Sequence, residues 1–148
     1  MHTDAHPHFR ALDASEMRAI LVRNHVGRVA YSFHDRVNIV PVHYLYSEGW
    51  IYGRTSPGEK LEILTHHKWV AFEVDEVDGP YDWRSVVVHG GLYMLEPDED
   101  AWREALELIR TVVPDALGES DPTPFRTVLF RIAIQESSGR EATSAPAG

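Results

Sequence analysis

Apolar positions along this chain follow two periods, and the switches between them divide it into elements. Leu12, Asp13, Glu16 and Met17 form a helix start, with Asp13 as cap, Glu16 able to bond back to it, and Leu12 able to pack onto Met17. The helix is predicted to run to about Asn24, with Met17, Ile20 and Leu21 on one face and Gly27 placed to leave it at positive φ. From Arg28 the period becomes two, and Val29, Tyr31 and Phe33 alternate against Arg28, Ala30 and Ser32. His34, Asp35 and Arg36 predict a turn, Val37 to Tyr46 a longer strand, Ser47 to Gly49 a second turn, and Trp50 to Arg54 a third strand. Pro41 cannot donate to a ladder, which predicts an edge, a bulge, or a place where something other than backbone faces the second strand.

After a short helix around Glu59 to His66, Trp69 to Val74 reads as a fourth strand and Val77 to Asp82 as a loop. Trp83 to Leu95 reads as a fifth, bent where Gly90 and Gly91 interrupt it. Pro97 and Asp98 open a helix whose stripe of Trp102, Leu106, Ile109 and Val113 is assigned to core packing, and Pro114 stops it. A polar loop over Asp115 to Thr123 leads to a last strand, Phe125 to Ile134. Residues 1–10 lack periodicity and read as a loose arm, residues 11–136 as one domain, and the Ser-, Ala- and Gly-rich residues 137–148 as a disordered tail. Six strands with inserted helices and no regular βαβ alternation predict a mainly β fold, a six-stranded antiparallel barrel with flanking helices.

Composition restricts the partners. Fourteen Lys and Arg against 23 Asp and Glu give a net charge of −9, which disfavours non-specific binding to nucleic acid or anionic membrane. A positive site must therefore be local. The 148 residues suit one domain. There is no cysteine, which rules out disulfides and thiolate metal sites and makes a reducing cytoplasm the expected compartment. No apolar run approaches the roughly 20 residues that span a bilayer, and with a polar, His-bearing amino end no secretion signal is expected.

The segment from Trp50 to Leu64, WIYGRTSPGEKLEIL, runs a strand directly into a helix start, with Ser56, Pro57 and Glu59 at the cap, first and third positions. The first amides of such a helix lack intrahelical acceptors and carry the positive end of the dipole, so a phosphate is favoured there. Arg54, Thr55, Ser56 and Lys60 add cations and hydroxyls at the same place. An ordinary capped helix, with Ser56 and Glu59 closing its box and both cations solvated, explains the same residues.

Three segments, GRVAYSFHDRVNIVPVHYLY, IYGRTSPGEKLEIL followed by VAFEVDEVDG, and WRSVVVHGGLYMLE, resemble in order and spacing the FMN-binding split-barrel family. That family includes pyridoxamine 5'-phosphate oxidase and the nitroimidazole reductases. The likeness covers roughly Leu12 to Gly139 and is greatest to the small nitroimidazole-reductase-like branch. It implies a split barrel that holds FMN, with the phosphate on Arg54, Thr55, Ser56 and Lys60, and Leu61 beside them. The isoalloxazine ring would lie against Asn38, Ile39, Val40, Pro41 and Val42, up to His43. A flavin pyrimidine edge needs backbone donors and acceptors, which a strand released from full pairing can offer. Trp83, Arg84, Ser85 and Val86 look like the portion bordering the flavin near a dimer interface; a strand start with a partly buried indole explains them too. The resemblance also implies a homodimer with two flavin sites between the subunits. Its four tryptophans and six tyrosines agree with that.

The implied activity is an FMN-dependent oxidoreductase that passes reducing equivalents from NAD(P)H to a small electrophilic acceptor such as a nitroaromatic. Arg54, turned toward the ring, could stabilise an anionic reduced flavin. The alternatives are a flavin or deazaflavin carrier or sensor without turnover, and a haem-binding stress protein with His43 or His89 as axial ligand. The chain departs from the family pattern by carrying Arg54 where relatives often have histidine, with a linker to Lys60 one residue shorter. It lacks the carboxyl-terminal arginine motif that grips substrate in true pyridoxamine-phosphate oxidases, so that activity is not expected. Other chemistry finds little support. His2, His6 and His8 lie in the arm and the neighbouring His66 and His67 diverge on a helix end, so no metal site is expected. No nucleophile elbow occurs, and Gly90 and Gly91 make no dinucleotide fingerprint.

Overall fold

In the computed structural model, which describes residues 6–57 and 68–144, seven strands and two helices are present. They are β1 (His8–Ala11), α1 (Ala14–Arg23), β2 (Val26–Phe33), β3 (Arg36–Ser47), β4 (Trp50–Thr55), β5 (Lys68–Gly79), β6 (Asp82–Leu95), α2 (Asp100–Ile109) and β7 (Val128–Thr143).

Local chemistry sets most of the boundaries. The capping box of α1 is complete, with Glu16 N donating to Asp13 Oδ1 at 2.8 Å and Asp13 N to Glu16 Oε1 at 3.1 Å. The two hairpin turns carry left-handed backbone at His34 (φ 51°) and Asp35 (φ 62°), and at Glu48 (φ 47°) and Gly49 (φ 85°), as hairpins with right-handed strand twist require. Gly27 does not end α1 at positive φ; it lies inside β2, opposite Val42. It is glycine there because the Phe72 ring occupies the space of a Cβ. Helix α2 begins after Glu99 and ends at Ile109, short of Pro114, with Arg110 to Val113 continuing as turns.

The sheet order is β1-β7-β4-β3-β2-β5-β6, and a further β6–β7 pairing closes β2 to β7 into an antiparallel ring of six strands. This is the expected split barrel, with β1 added outside the ring. The bend foreseen at Gly90 is a register shift between His89 and Gly90 on β6.

Both ends of the domain extend further than the pattern predicts. Residues 8–11 are not part of a loose arm, and residues 137–143 are not a disordered tail: His8 to Ala11 form β1 and pair with Arg140 to Thr143, while Ser137 to Gly139 pair with β6. The reason is tertiary. Val86 and Val88 of β6 are fully buried, and the backbone beside them needs partners, which Gly139 and Ser137 supply. The small residues that resemble a linker are also what lets α1 close down, since a Cβ on Gly139 would lie 2.9 Å from Met17 Cγ and 3.0 Å from Leu12 Cδ1. The loop predicted over Val77 to Asp82 is likewise mostly strand, because β5 runs to Gly79.

Two apolar clusters fill the structure. Ile20, Val29, Ile51, Phe72, Val88 and Ile132 belong to the one inside the ring, on which α1 sits. The second lies between α2 and the outer side of β3, β4 and β7, joining Ala105 and Ile109 to Leu45, Tyr52 and Leu129, with Trp102, Leu106 and Val113 packed at its margin. The helical stripe is thus core, as predicted.

Candidate functional site: the fork between β3 and β4

Strands β3 and β4 share only four pairs, Tyr44–Gly53 to Ser47–Trp50. Beyond Gly53, β4 stays with β7 through Arg54–Leu129 and Thr55–Val128. The opposite half of β3, Arg36 to His43, pairs with β2 on one side and with no described strand on the other. That is the placement Pro41 predicts. Along this open edge Asn38 and Val40 are half-buried, Val42 is buried, and Ile39 and Pro41 point outward. The five positions expected to border a flavin ring therefore lie consecutively on one edge, where alternate residues turn their backbone groups away from β2.

At the other arm of the fork, Thr55 is buried and Ser56 half-buried. The two arms bring Asn38 to Val42 and Thr55 to Ser56 to one side of the ring. Lys60, Leu61 and the predicted helix lie outside the described residues.

Arg54 takes a different part from the one expected. Strand alternation puts it on the same side as Tyr52, beneath the segment that follows α2, and it is 4% exposed. Its Nη2 lies 2.6 Å from Asp121 Oδ2 and also donates to Thr123 O at 2.9 Å, while Nη1 reaches Asp121 Oδ1 at 3.3 Å and Nε donates to Arg126 O at 3.0 Å. Asp121 further accepts from Leu117 N and Thr123 N, at 2.8 and 2.9 Å. Hydrogen bonds from Arg54, then from those amides, hold the Asp121 carboxyl well below the usual carboxylate range. A guanidinium so engaged anchors the loop and is not available to grip a phosphate or turn toward a ring.

The next cation is Arg126, whose Nη1 donates to His43 Nδ1 at 2.7 Å. Burial first, then the charges of Arg126 and Arg54, push the His43 imidazole below its ordinary pKa, so it is a neutral acceptor here. Together with His25, Val112 and Ile109 these residues line a cleft of about 230 Å³ beside the fork. Asp121 lies in the polar loop that the pattern predicts, and Arg126, expected in the last strand, precedes it because β7 starts only at Val128; neither carries a signal of its role, since only the folded sheet brings this segment under α2.

Trp83 and Ser85 do not reach the fork within one chain, because β5 and β2 stand between β6 and β3. Trp83 stacks at a tilt on Phe9, with centroids 6.3 Å apart, and Ser85 Oγ donates to Glu73 Oε2 at 3.1 Å. Burial, with Asp75 alongside, raises the Glu73 carboxyl pKa. His89 also sits on β6, with Nδ1 3.7 Å from Glu136 Oε1. Among the described residues no cluster of His, Asp and Glu could hold a metal ion, and no helix is long and apolar enough to cross a membrane.

An antiparallel six-stranded ring that opens at one strand junction, with α2 packed beside the fork, defines a split-barrel protein whose β3 edge is open. The chain belongs to the pyridoxamine 5'-phosphate oxidase family, whose sequence profile matches residues 13–141. It is similar to a FAD-binding protein of Mesorhizobium loti at 32% identity and a TM-score of 0.73, over 91% of this chain and 99% of that one. A FAD-binding protein of Mycobacterium smegmatis shares the fold at 22% identity and a TM-score of 0.69, over 90% and 98% of the two chains. A curated protein of Rhizobium meliloti is 27% identical over 81 residues, 55% of this chain and 54% of its own length. The match thus spans about half of that relative.

Proposed function

We propose that the protein is a homodimeric flavoprotein that takes reducing equivalents from NAD(P)H and delivers them to a small electrophilic acceptor such as a nitroaromatic. The observation that carries this reading is the open edge of β3. Backbone donors and acceptors from Asn38 to Val42 match the needs of a flavin pyrimidine edge, and Thr55 and Ser56 stand at the neighbouring arm with hydroxyls for a phosphate. Lys60 is the cation proposed for that phosphate, since Arg54 is spent on Asp121. The flavin would supply the hydride and electron chemistry. The protein's share is to seat the ring and keep His43 neutral beside it. Family membership and the FAD-binding relative from Mesorhizobium loti support the choice of flavin.

The dimer is proposed from the outer face. Cross-strand register puts Ile39, Ala30 and Ala71 in one row on it, with Val37 (83% exposed) and Trp69 (53% exposed) nearby. Apolar residues contiguous on a sheet face mark an interaction surface. A second copy over this face would bring its β6, with Trp83 and Ser85, toward the first copy's fork.

An absorption spectrum of the purified protein, taken before and after flavin addition and then with NADH or NADPH, tests the reading. A yellow protein bleached by either reductant supports it. A yellow protein that neither reduces is a carrier, and one that takes up no flavin overturns the proposal; bound deazaflavin or haem would show different visible bands.

A further inference from the structure

The outer face proposed for the dimer is not uniformly apolar. The odd positions of β5 point to it, because Val70, Phe72 and Val74 between them are buried in the ring. Cross-strand register sorts that face into rows. One is the apolar row of Ile39, Ala30 and Ala71; two residues along the strands, Pro41, Arg28 and Glu73 form the next. Beyond it Asp75 lies opposite Ser85, and then a second apolar row follows, in which the exposed Val77 pairs with Trp83 and the Trp83 ring meets Phe9. Charge therefore sits in the middle of the face, with apolar side chains about 7 Å away along the strands in either direction.

In that middle, two carboxylates share one guanidinium. Arg28 Nη1 donates to Glu73 Oε1 at 3.2 Å and lies 3.7 Å from Asp75 Oδ1, and Ser85 Oγ donates to Glu73 Oε2 at 3.1 Å. With both acids ionised the cluster carries one net negative charge. Its other neighbours do not cancel that charge. On β6, Val87 stands opposite Glu73; on β7, Arg140 stands opposite Ser85 and makes no ion pair among the described residues; and His89, one row away, lies beside Glu136. Burial first, then the hydrogen bond and charge of Asp75, already raise the Glu73 carboxyl, against the opposing pull of Ser85 and Arg28.

A second copy that covers both apolar rows must also cover the cluster between them and strip away the water that screens it. A buried charge without a partner is costly, and one proton on either acid removes it, leaving a single carboxylate for Arg28. Resting on the dimer reading above, we infer that the two copies associate over this face only as the cluster of Glu73, Asp75 and Arg28 takes up a proton, so that dimerisation strengthens toward acid. An interface between identical copies uses the same patch twice, so up to two protons are bound per dimer. Covering the cluster raises its carboxyl further, so uptake occurs between the pKa of the free protomer and the higher one in the dimer, and association tightens as pH falls through that window.

The test is the dimer dissociation constant of the full chain, read by sedimentation at about pH 5.5 and about pH 7.5, with thermal melts confirming that each variant folds. In wild type it should rise about tenfold or more between the two. Glu73→Gln and Asp75→Asn each leave one acid for one guanidinium, so both should dimerise at the higher pH about as tightly as wild type does at the lower. Arg28→Gln removes the cation and should loosen the dimer at the higher pH. Loss of a merely structural contact would weaken the dimer in all three variants, so this opposite pattern is specific to the charge. His89→Gln should leave the pH dependence in place. A wild-type dimer equally tight at both pH values, a dependence that survives both acid replacements, or one that vanishes with His89→Gln overturns the inference while leaving the dimer reading in place. A wild type that is a single protomer at both pH values removes both.

Discussion

Asp121 Oδ2 lies 2.6 Å from Arg54 Nη2, with the Asp121 side chain sealed from solvent and that of Arg54 at 4% exposure. This pair couples the end of β4 to a loop 67 residues further along the chain. Its geometry is that of a bidentate buried ion pair with every carboxylate oxygen occupied.

Removing one member leaves the other charged and buried. Asp121→Ala is expected to destabilise the fold by about 3–5 kcal/mol, measured by urea unfolding. The double variant with Arg54→Met should cost much less than the sum of the two single changes. Additive losses would show that the residues act independently.

The proposed phosphate site makes a different demand on Lys60. Lys60→Ala should weaken flavin binding by about tenfold or more, the scale of one charge-assisted contact, with the melting temperature of the flavin-free protein unchanged. Equilibrium dialysis checks it, and undiminished retention removes Lys60 from the site.

Acid should weaken the packing of α1 on the barrel. Arg23 Nε and Nη2 meet the two Glu76 oxygens at 2.7 and 2.6 Å, and Asn24 Nδ2 adds a bond at 2.6 Å. The Arg23 hydrogen bonds first, then that of Asn24, push the Glu76 pKa down to about 2. A carboxyl with a folded pKa below its unfolded one stabilises above the unfolded value and loses that stabilisation as pH falls toward the folded value. Allowing for partial exposure, Glu76→Gln should cost roughly 1–2 kcal/mol near neutrality. The gap to wild type should close between about pH 5 and about pH 2, and denaturation curves across that range read it. A gap that stays constant would refute the assignment.

The proposed dimer would rest on the outer face of β3, β2 and β5. Ile39, 65% exposed, can take a charge without touching either core, so Ile39→Asp should leave the melting curve of the subunit intact and shift sedimentation toward a single protomer. If flavin sites form between subunits, the same change should lower flavin affinity. A wild type that sediments as a monomer would exclude the arrangement.

Much of the fold is legible in the residues, because short-range rules act over a few positions. The Asp13 and Glu16 box, the turns at His34 and Glu48, the alternation of Val29 and Tyr31, and the bend at Gly90 depend on neighbours in the chain. Pro41 shows the same economy: a missing donor predicts an open edge, and β3 is open there. That Asn38 to Val42 form the ring platform is what the family resemblance adds to that open edge.

What the residues could not show depends on partners far along the chain. Alternation places Arg54 toward the α2 side of β4, but only the folded loop reveals Asp121 waiting there, and so turns an expected phosphate ligand into a loop anchor. Ser137 to Thr143 resemble a linker by composition. They become a strand because β6 and β1 offer backbone partners on both sides and α1 needs small residues beneath it. The sequence by itself determined the order of most strands and helices and which face of each is apolar, since sterics and periodicity act locally. The tertiary structure decided which polar groups meet, because burial and ion pairing depend on distances that no local pattern encodes.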